Sequence, residues 1–260
     1  MSKGLISVII PTLNEQSGIK KTISSISTLL LKTKLGYDLE VIVVDGQSTD
    51  STREIATRMG AKVIIEKRRG YGRALKSGFA ASNGEIIVTI DADNTYPIEY
   101  LPRYVEELEA GNFEFITINR FSEMEKGAMS LTRRIGNKIL TLLTNLLYSL
   151  DLKDSQSGMW IMRKDFVSQI TLTSDDMPIS EEIKIIAFKF FRSKEIDGKY
   201  HSRSGKAKLR VFGDGWKNLK FLFKFRKKIN LLATSTSKQF TERRKMFFSN
   251  TRYPSRGSEP

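Results

Sequence analysis

Two aspartates one residue apart, Asp91 and Asp93, follow directly on the apolar run Glu85-Ile-Ile-Val-Thr-Ile90. In an extended strand, residues i and i+2 point to the same side, so this spacing aims both carboxylates at one place. Converging carboxylates suit a hard divalent cation and the diphosphate that such a cation holds. Asn94-Thr95-Tyr96-Pro97 is turn chemistry and ends the strand there. Open α/β sheets bind ligands at the carboxyl ends of their strands, which is where the pair falls. Alone, an Asp-x-Asp is more often a solvated Asx turn, so its weight comes from its neighbours.

Asp45 closes the run Tyr37-Asp-Leu-Glu-Val-Ile-Val-Val44 as Asp91 closes the later one. A carboxylate there can accept hydrogen bonds from a base or ribose, or it can simply order its own loop. In Pro11-Thr-Leu-Asn-Glu15, Asn14 and Glu15 admit the same pair of readings, helix cap or nucleotide contact. Arg68-Arg-Gly-Tyr-Gly72 lacks the Gly-Lys-Ser/Thr ending of a phosphate-binding P-loop and reads as a flexible basic turn. Arg120, Arg134, Arg203 and Lys208 are the cations of interest, since Arg forks recognise phosphate bidentately. Three lie at expected element ends, and Arg134 stands on an otherwise apolar helix. Singly each reads as a surface residue; beside a basic, hydrophobic C-terminal stretch they point to an anionic lipid headgroup. His201 sits in a basic loop without a catalytic role, and nothing resembles a Ser-His-Asp triad.

These residues need a scaffold that brings strand ends together. Apolar runs at 7–10, 37–44, 62–66 and 85–90 alternate with helical patterns that reach Leu31, begin near Thr49 with Asp50 as N-cap, and span Gly72 to Ser82. Strands alternating with helices of about 12 residues mean βαβ units and a parallel sheet. An acidic helix over 98–110 and a strand over 113–119, ending at Arg120, follow. Residues 129–149 form a long helix with apolar positions around most of its circumference, the pattern of a helix that is buried or lies against lipid. Asp154-Ser-Gln-Ser-Gly158 is a turn, and Ser180-Glu-Glu182 caps a helix running to Phe191.

At 260 residues, with 40% hydrophobic and 28% charged, the chain is globular and large enough for one substantial core. The absence of cysteine excludes disulfide and cysteine–metal chemistry and fits a reducing, intracellular site. The net charge of +14 is uneven: residues 200–260 hold 16 Lys and Arg against 3 acids. Such an end suits nucleic acid, anionic lipid or a phosphorylated substrate, or it is a solubilising tail. The first apolar stretch is too short for a signal peptide, and no eighteen apolar residues run unbroken, so no transmembrane span is expected.

The ordered set Val-Ile-Ile-Pro-Thr-Leu-Asn-Glu15, Val-Ile-Val-Val-Asp-Gly-Gln-Ser-Thr-Asp50, Gly-Tyr-Gly-Arg-Ala-Leu75, Asn-Gly-Glu-Ile-Ile-Val-Thr-Ile-Asp-Ala-Asp93 and Pro97 resembles the family 2 glycosyltransferases of the GT-A fold. Asn119-Arg120, the Arg134 and Asn137 helix start, Asp154 to Gly158 and Arg203-Ser-Gly-Lys-Ala-Lys-Leu209 look like its dolichol-phosphate mannose or glucose synthase branch. The resemblance spans roughly Ser7 to Lys228. It implies an α/β fold with a mostly parallel central sheet flanked by helices. Pro11, Thr12, Glu15, Asp45 and Asp91 would bind the nucleotide sugar, GDP-mannose or UDP-glucose, and Asp91 and Asp93 would bind Mg²⁺ or Mn²⁺. Arg120, Arg134, Arg203 and Lys208 would serve the acceptor phosphate, with Asp93, Arg120, Arg134 and Arg203 carrying the transfer. Departures occur at Asp45-Gly-Gln-Ser48, where many relatives have a second Asp, at Thr95, where Gln is frequent, and at Ala207, where Ser is.

The expected organisation is a catalytic domain over 1–212, a basic amphipathic membrane-interface segment over 213–232 and a basic flexible tail over 233–260. The protein would then sit peripherally on the cytoplasmic face of a membrane, in a protein glycosylation role. Polyprenyl phosphate arrives largely ionised near neutral pH and needs no strong base. A sugar hydroxyl acceptor would need one, and Glu181 or Glu182 is the candidate. Nucleic-acid binding would explain the basic end but not Asp45, Asp91 and Asp93.

Overall fold

The structure is a computed structural model that describes residues 2–32, 36–205 and 213–229. The chain divides into two compact units, residues 1–222 and 223–260, and the division falls inside the expected interface segment. Lys208 and the tail beyond residue 229 lie outside the described residues.

Seven strands form one sheet in the order β3-β2-β1-β4-β6-β5-β7. They are β1 (Leu5–Thr12), β2 (Asp38–Asp45), β3 (Lys62–Ile65), β4 (Ile86–Thr89), β5 (Phe115–Met124), β6 (Trp160–Arg163) and β7 (Ser193–Tyr200). The first four are mutually parallel, as the alternation with α1 (Ile19–Lys32), α2 (Thr52–Arg58) and α3 (Tyr71–Ala81) requires. β6 runs antiparallel to both neighbours, and β7 is parallel to β5. The other helices are α4 (Leu101–Ala110), α5 (Leu131–Tyr148), α6 (Lys164–Gln169) and α7 (Ile179–Phe190); a single 3₁₀ turn, Ile98–Tyr100, leads into α4.

Side chains alternate across the sheet, so β1 serves two cores. Ile6, Val8 and Ile10 join Ile19 and Ile23 of α1 and Leu101 and Val105 of α4 on one face. Ile9 joins Leu75 and Phe79 of α3 and Ile179 and Ile183 of α7 on the other. Both faces are therefore covered, which is why the central strands read as unbroken apolar runs.

This topology directs every candidate loop to one edge. Thr12 pairs with Asp45, so β1 and β2 end level with each other, and Ile9 pairs with Thr89 at the end of β4. Trp160, the first residue of β6, pairs with Thr89, so the antiparallel strand begins where its neighbour ends. Thr117 pairs with the same Trp160, which sends the later part of β5 past that edge, with β7 beside it.

Some local expectations change. β4 stops at Thr89, so Asp91 and Asp93 lie in the following turn and owe their approach to the turn, not to strand alternation. β5 continues through Arg120 to Met124, with a register irregularity between Asn119 and Glu123, so Arg120 is not at a strand end. Asp50 is not the N-cap of α2; that position is Ser51, and Asp50 instead accepts from the Thr52 backbone N–H at 3.0 Å.

Candidate active site

The turn after β4 is pinned from three sides. Gly18, before α1, stands where a Cβ would come within 2.5 Å of the Ala92 carbonyl, and Thr22 Oγ1 donates to that same oxygen at 3.2 Å. Asn94 takes the left-handed conformation that an Asn tolerates, which reverses the chain. Asp93 Oδ1 accepts from Thr95 N at 3.2 Å and from Thr95 Oγ1 at 2.7 Å, and the Asp93 carbonyl accepts from Ser204 N at 2.8 Å.

Asp91 faces a different environment. Its Oδ1 accepts from Tyr71 Oη at 3.3 Å, and Gly158 lies where an added Cβ would sit 3.4 Å from its other oxygen. Burial first, and the neighbouring Asp93 charge second, push its carboxyl up to about 7; Arg120 works the other way. Two carboxylates that repel each other, Asp93 buried and Asp91 half-buried, fit a hard, oxygen-seeking cation, which would relieve that repulsion. Among the described residues no three His, Cys, Asp or Glu side chains converge, so most of such a cation's ligands would be diphosphate oxygens and water. That donor set suits Mg²⁺ or Mn²⁺.

The loops after β1 and β2 interlock. Ser48 Oγ accepts from Asn14 N at 2.7 Å, Asn14 Oδ1 accepts from Thr49 N at 2.7 Å, and Thr52 Oγ1 accepts from Glu15 N at 2.8 Å. Asp45 is fully buried; its Oδ2 accepts from Ser48 N at 2.9 Å and pairs with Arg53 at 3.6 Å. Thr12 is buried beside it, 3.4 Å from Oδ1, and Pro11 is buried in β1. Asp45 therefore orders its loop; that role and a nucleotide contact are compatible.

The cations divide by what they already hold. Arg120 is buried, and its Nε and Nη2 donate to the two oxygens of Asp154 at 2.6 and 2.9 Å. Burial opposes its charge, and Asp154 more than offsets that, while Arg120 and Lys184 hold the Asp154 carboxyl below the usual range against its own burial. Arg203 reaches back across the edge to Glu15 Oε1 at 3.3 Å and Asp93 Oδ2 at 3.5 Å. Its Nε is buried without a hydrogen-bond partner. Arg134 is exposed on α5, so the structure does not bring it into this cluster.

The two candidate bases also separate. Glu182 is a buried brace, accepting from Thr173 N and Oγ1 at 2.8 and 2.6 Å and from Ser174 N at 2.7 Å. Glu181 is fully buried; Gln156 Nε2 donates to Oε1 at 2.7 Å, and Oε2 has no partner. Burial pushes its carboxyl up to about 8, partly countered by Gln156.

Sequence reasoning missed Tyr71 and Lys184, and it placed Asp154 in an acceptor motif without foreseeing its clamp on Arg120. Tyr71 opens α3 at the end of what was expected to be a flexible turn. That segment is instead held by Arg68 on Glu66 and by Arg73 and Lys76 on Asp175. Lys184 is fully buried and donates to the Asp154 carbonyl at 2.9 Å; burial lowers its ammonium to about 7. The signal for it was a lysine inside the apolar face of α7.

The family model described as glycosyl transferase family 2 matches residues 7–171. The chain belongs to that family. It is 31% identical over 212 residues to the dolichyl-phosphate hexose transferase of Haloferax volcanii, covering 81% of this chain and 89% of that protein. It is 35% identical over 220 residues to the low-salt glycan biosynthesis hexosyltransferase Agl6 of the same organism, covering 84% of this chain. The chain spans about half of that second relative, 52% of its length. Among solved structures, glucosyl-3-phosphoglycerate synthase of Mycobacterium tuberculosis, crystallised with Mn²⁺, uridine-diphosphate and phosphoglyceric acid, matches with a TM-score of 0.70. That match covers 86% of this chain and 79% of the other at 23% identity, a likeness of fold. The helices of the described residues include none long and apolar enough to cross a membrane.

Proposed function

We propose that the chain transfers a hexosyl group from a nucleotide-diphosphate sugar, GDP-mannose or UDP-glucose, to a polyprenyl phosphate, with inversion and dependence on Mg²⁺ or Mn²⁺. The observation that carries the reading is Arg203. It spans Glu15 on the nucleotide side and Asp93 on the metal side, and it keeps a buried N–H donor without an acceptor. A buried donor between two carboxylates suits a phosphate oxygen, which would satisfy it at the site where anions must meet.

Asp91 and Asp93 would hold the metal, which supplies charge stabilisation for the departing diphosphate. Thr12, Glu15 and Asp45 line the nucleotide end of the same sheet edge, beside Pro11. Arg203 offers positive charge where acceptor phosphate and leaving diphosphate approach each other, and Lys208, outside the described residues, would add to it. Arg120 acts from its clamp on Asp154, as a fixed positive charge that stabilises the anionic form of the carboxylates around it. Arg134 would receive the acceptor phosphate from its exposed place on α5. The reaction needs positioning and charge compensation more than proton abstraction, because the phosphate is already ionised. On this reading the protein would act at the cytoplasmic face of a membrane as a peripheral enzyme of glycosylation, with anionic lipid as a partner.

A second reading, transfer to a sugar hydroxyl, rests on Glu181, whose unpartnered Oε2 and carboxyl near pH 8 suit a general base. One assay separates the two. The protein is incubated with either metal, a panel of nucleotide sugars, and dolichyl phosphate or free saccharides, and products are identified by mass. Lipid-linked sugar is the expected product; sugar on a saccharide hydroxyl alone would replace the first reading by the second.

A further inference from the structure

Tyr71, which opens α3 between Gly70 and Gly72, is held by the backbone of a loop that follows it in the chain by about a hundred residues. Gly70 has a φ of +133°, and a Cβ added there would collide with the Asp175 carbonyl. At Gly72 an added Cβ would come within 2.6 Å of the Ser174 carbonyl. Arg73 N donates to the Asp175 carbonyl at 2.9 Å, and buried Glu182 holds the backbone of Thr173 and Ser174. The two glycines therefore let a braced loop pass against the start of the helix, which is a packing demand and not flexibility.

The ring of Tyr71 packs against the core that Ile9 shares with α3 and α7, and its hydroxyl donates to Asp91 Oδ1 at 3.3 Å. Burial first, and the Asp91 charge second, raise the pKa of that hydroxyl well above the ordinary phenol value, so it stays a donor. Gly158 closes the other side of the contact. Its carbonyl accepts from Thr89 Oγ1 at 2.7 Å and its N–H donates to Tyr96 Oη at 2.9 Å, which fixes its backbone. A Cβ added there would stand 2.8 Å from Tyr71 Oη and 3.4 Å from Asp91 Oδ2. Hydroxyl and carboxylate thus meet against a residue that must lack a side chain. Asp91 Oδ2 accepts no hydrogen bond among the described residues.

We infer that Tyr71 is the positioning residue of Asp91, its hydroxyl holding Oδ1 from a rigid phenol so that Oδ2 is left for the divalent cation. A carboxylate that ligates a metal is oriented by hydrogen bonds to its remaining oxygen, and those outer partners set metal affinity as the ligands do. The two aspartates differ in where that partner comes from. Asp93 Oδ1 is held inside its own turn by Thr95. Asp91 has no such neighbour, and its partner comes from α3, 20 residues earlier. This role rests on the metal site proposed above, and it extends that site to a residue outside the turn.

The test uses the full chain with Mn²⁺ as the probe, free ion being followed by electron paramagnetic resonance in the presence of GDP or UDP. Tyr71→Phe keeps the ring and its packing, so melting should match wild type while the Mn²⁺ dissociation constant rises about tenfold or more. Turnover at saturating Mn²⁺ should stay within a few-fold of wild type. In the Asp91→Ala background the same change should cost nothing further, because the group it acts through is gone. Gly158→Ala, which sets a methyl against the hydroxyl, should reproduce the loss and add little beside Tyr71→Phe. If Tyr71→Phe does not fold, Gly158→Ala decides by the same two comparisons. Wild-type Mn²⁺ affinity in folded Tyr71→Phe, with Asp91→Ala impaired, would overturn this role and leave the metal site standing. An equal loss from Tyr71→Phe in both backgrounds would also overturn it, since the tyrosine would then act elsewhere. Wild-type affinity in Asp91→Ala would defeat the metal site and the role together.

Discussion

The loops after β1 and β2 and the loops around β5 to β7 share one sheet edge but are fixed by opposite means. On the first side, neutral donors and short polar side chains do the work: Ser48 holds Asn14, Thr52 holds the backbone of Glu15, and Asn14 holds Thr49. On the second, charged groups do it, with buried Arg120 on Asp154, buried Lys184 on the Asp154 carbonyl, and half-buried Arg203 on Glu15 and Asp93. The carboxylates of the first side still take one cation each, Arg53 beside Asp45 and Arg203 beside Glu15. Ionic bracing means that a ligand entering the second side must compete with an internal partner, except at Arg203 Nε, which has none.

The widest difference is expected from the carboxylates at the boundary between the two sides. Asp91→Asn and Asp93→Asn should each lower turnover by about 10²- to 10³-fold or more, since they remove charge that the metal and diphosphate would use. Melting without metal should not fall for Asp91→Asn, because that substitution relieves the repulsion from Asp93; Asp93→Asn also gives up its pairing with Arg203. Near wild-type turnover in both variants at ordinary metal concentration would refute the metal-site assignment.

Next in size is a contrast within the second side. Arg120→Lys keeps the charge but loses the bidentate fork on buried Asp154, leaving one of its oxygens unpaired at a cost of about 1–3 kcal/mol. Both melting temperature and turnover should drop. Arg134→Lys, on an exposed position, should leave melting unchanged and raise the acceptor KM. Equal behaviour of the two variants would erase the distinction drawn here between a clamped and an open cation.

The same contrast governs what could be read from the chain. The first side was legible because its elements are local: apolar runs end in Asp45 and Asp91, helices follow, and the pattern alone places those ends level in a parallel sheet. Arg120 and Asp154 are 34 residues apart, and β6 reverses direction between them and β4, so no periodicity announces their pairing. The antiparallel turn of β6 also brings Gly158 to Asp91, which spacing could not reveal. Conversely, the apolar girth of α5 was visible, but not which arc would be covered. That is decided by the seating of Thr141 on Ser155.

Glu181 and Lys184 offer a pH-dependent test. Glu181 has its folded value raised to about 8 by burial. An unfolded Glu titrates near 4.3, so its contribution to stability is fully present below about pH 4 and is lost as pH rises through about 8. Lys184 runs the other way: its folded value near 7, depressed by burial, makes the unfolded state bind the extra proton between about 7 and 10.4. Stability from that group rises with pH over that window. Glu181→Gln should therefore gain in melting temperature relative to wild type from pH 5 to 8, with turnover within a few-fold of wild type. A 10²- to 10⁴-fold loss of turnover in a folded variant would transfer support to the hydroxyl acceptor.

The smallest effects belong to the helical residues 213–229, where Lys217, Lys220, Lys224, Lys227 and Lys228 supply positive charge. A lysine near an anionic membrane is worth about 1 kcal/mol, so each Lys→Gln change should weaken binding to phosphatidylglycerol vesicles roughly fivefold at low salt. Lys217 should give less, because it pairs with Asp176 at 2.6 Å and its removal also frees that carboxylate. High salt should abolish these differences, since screening acts on charge and not on apolar burial. Titrating salt against these variants in one vesicle series separates the two contributions. If the lysine variants lose binding equally at low and high salt, the segment binds through its apolar residues, Trp216 and Phe223 among them, and its charge is incidental.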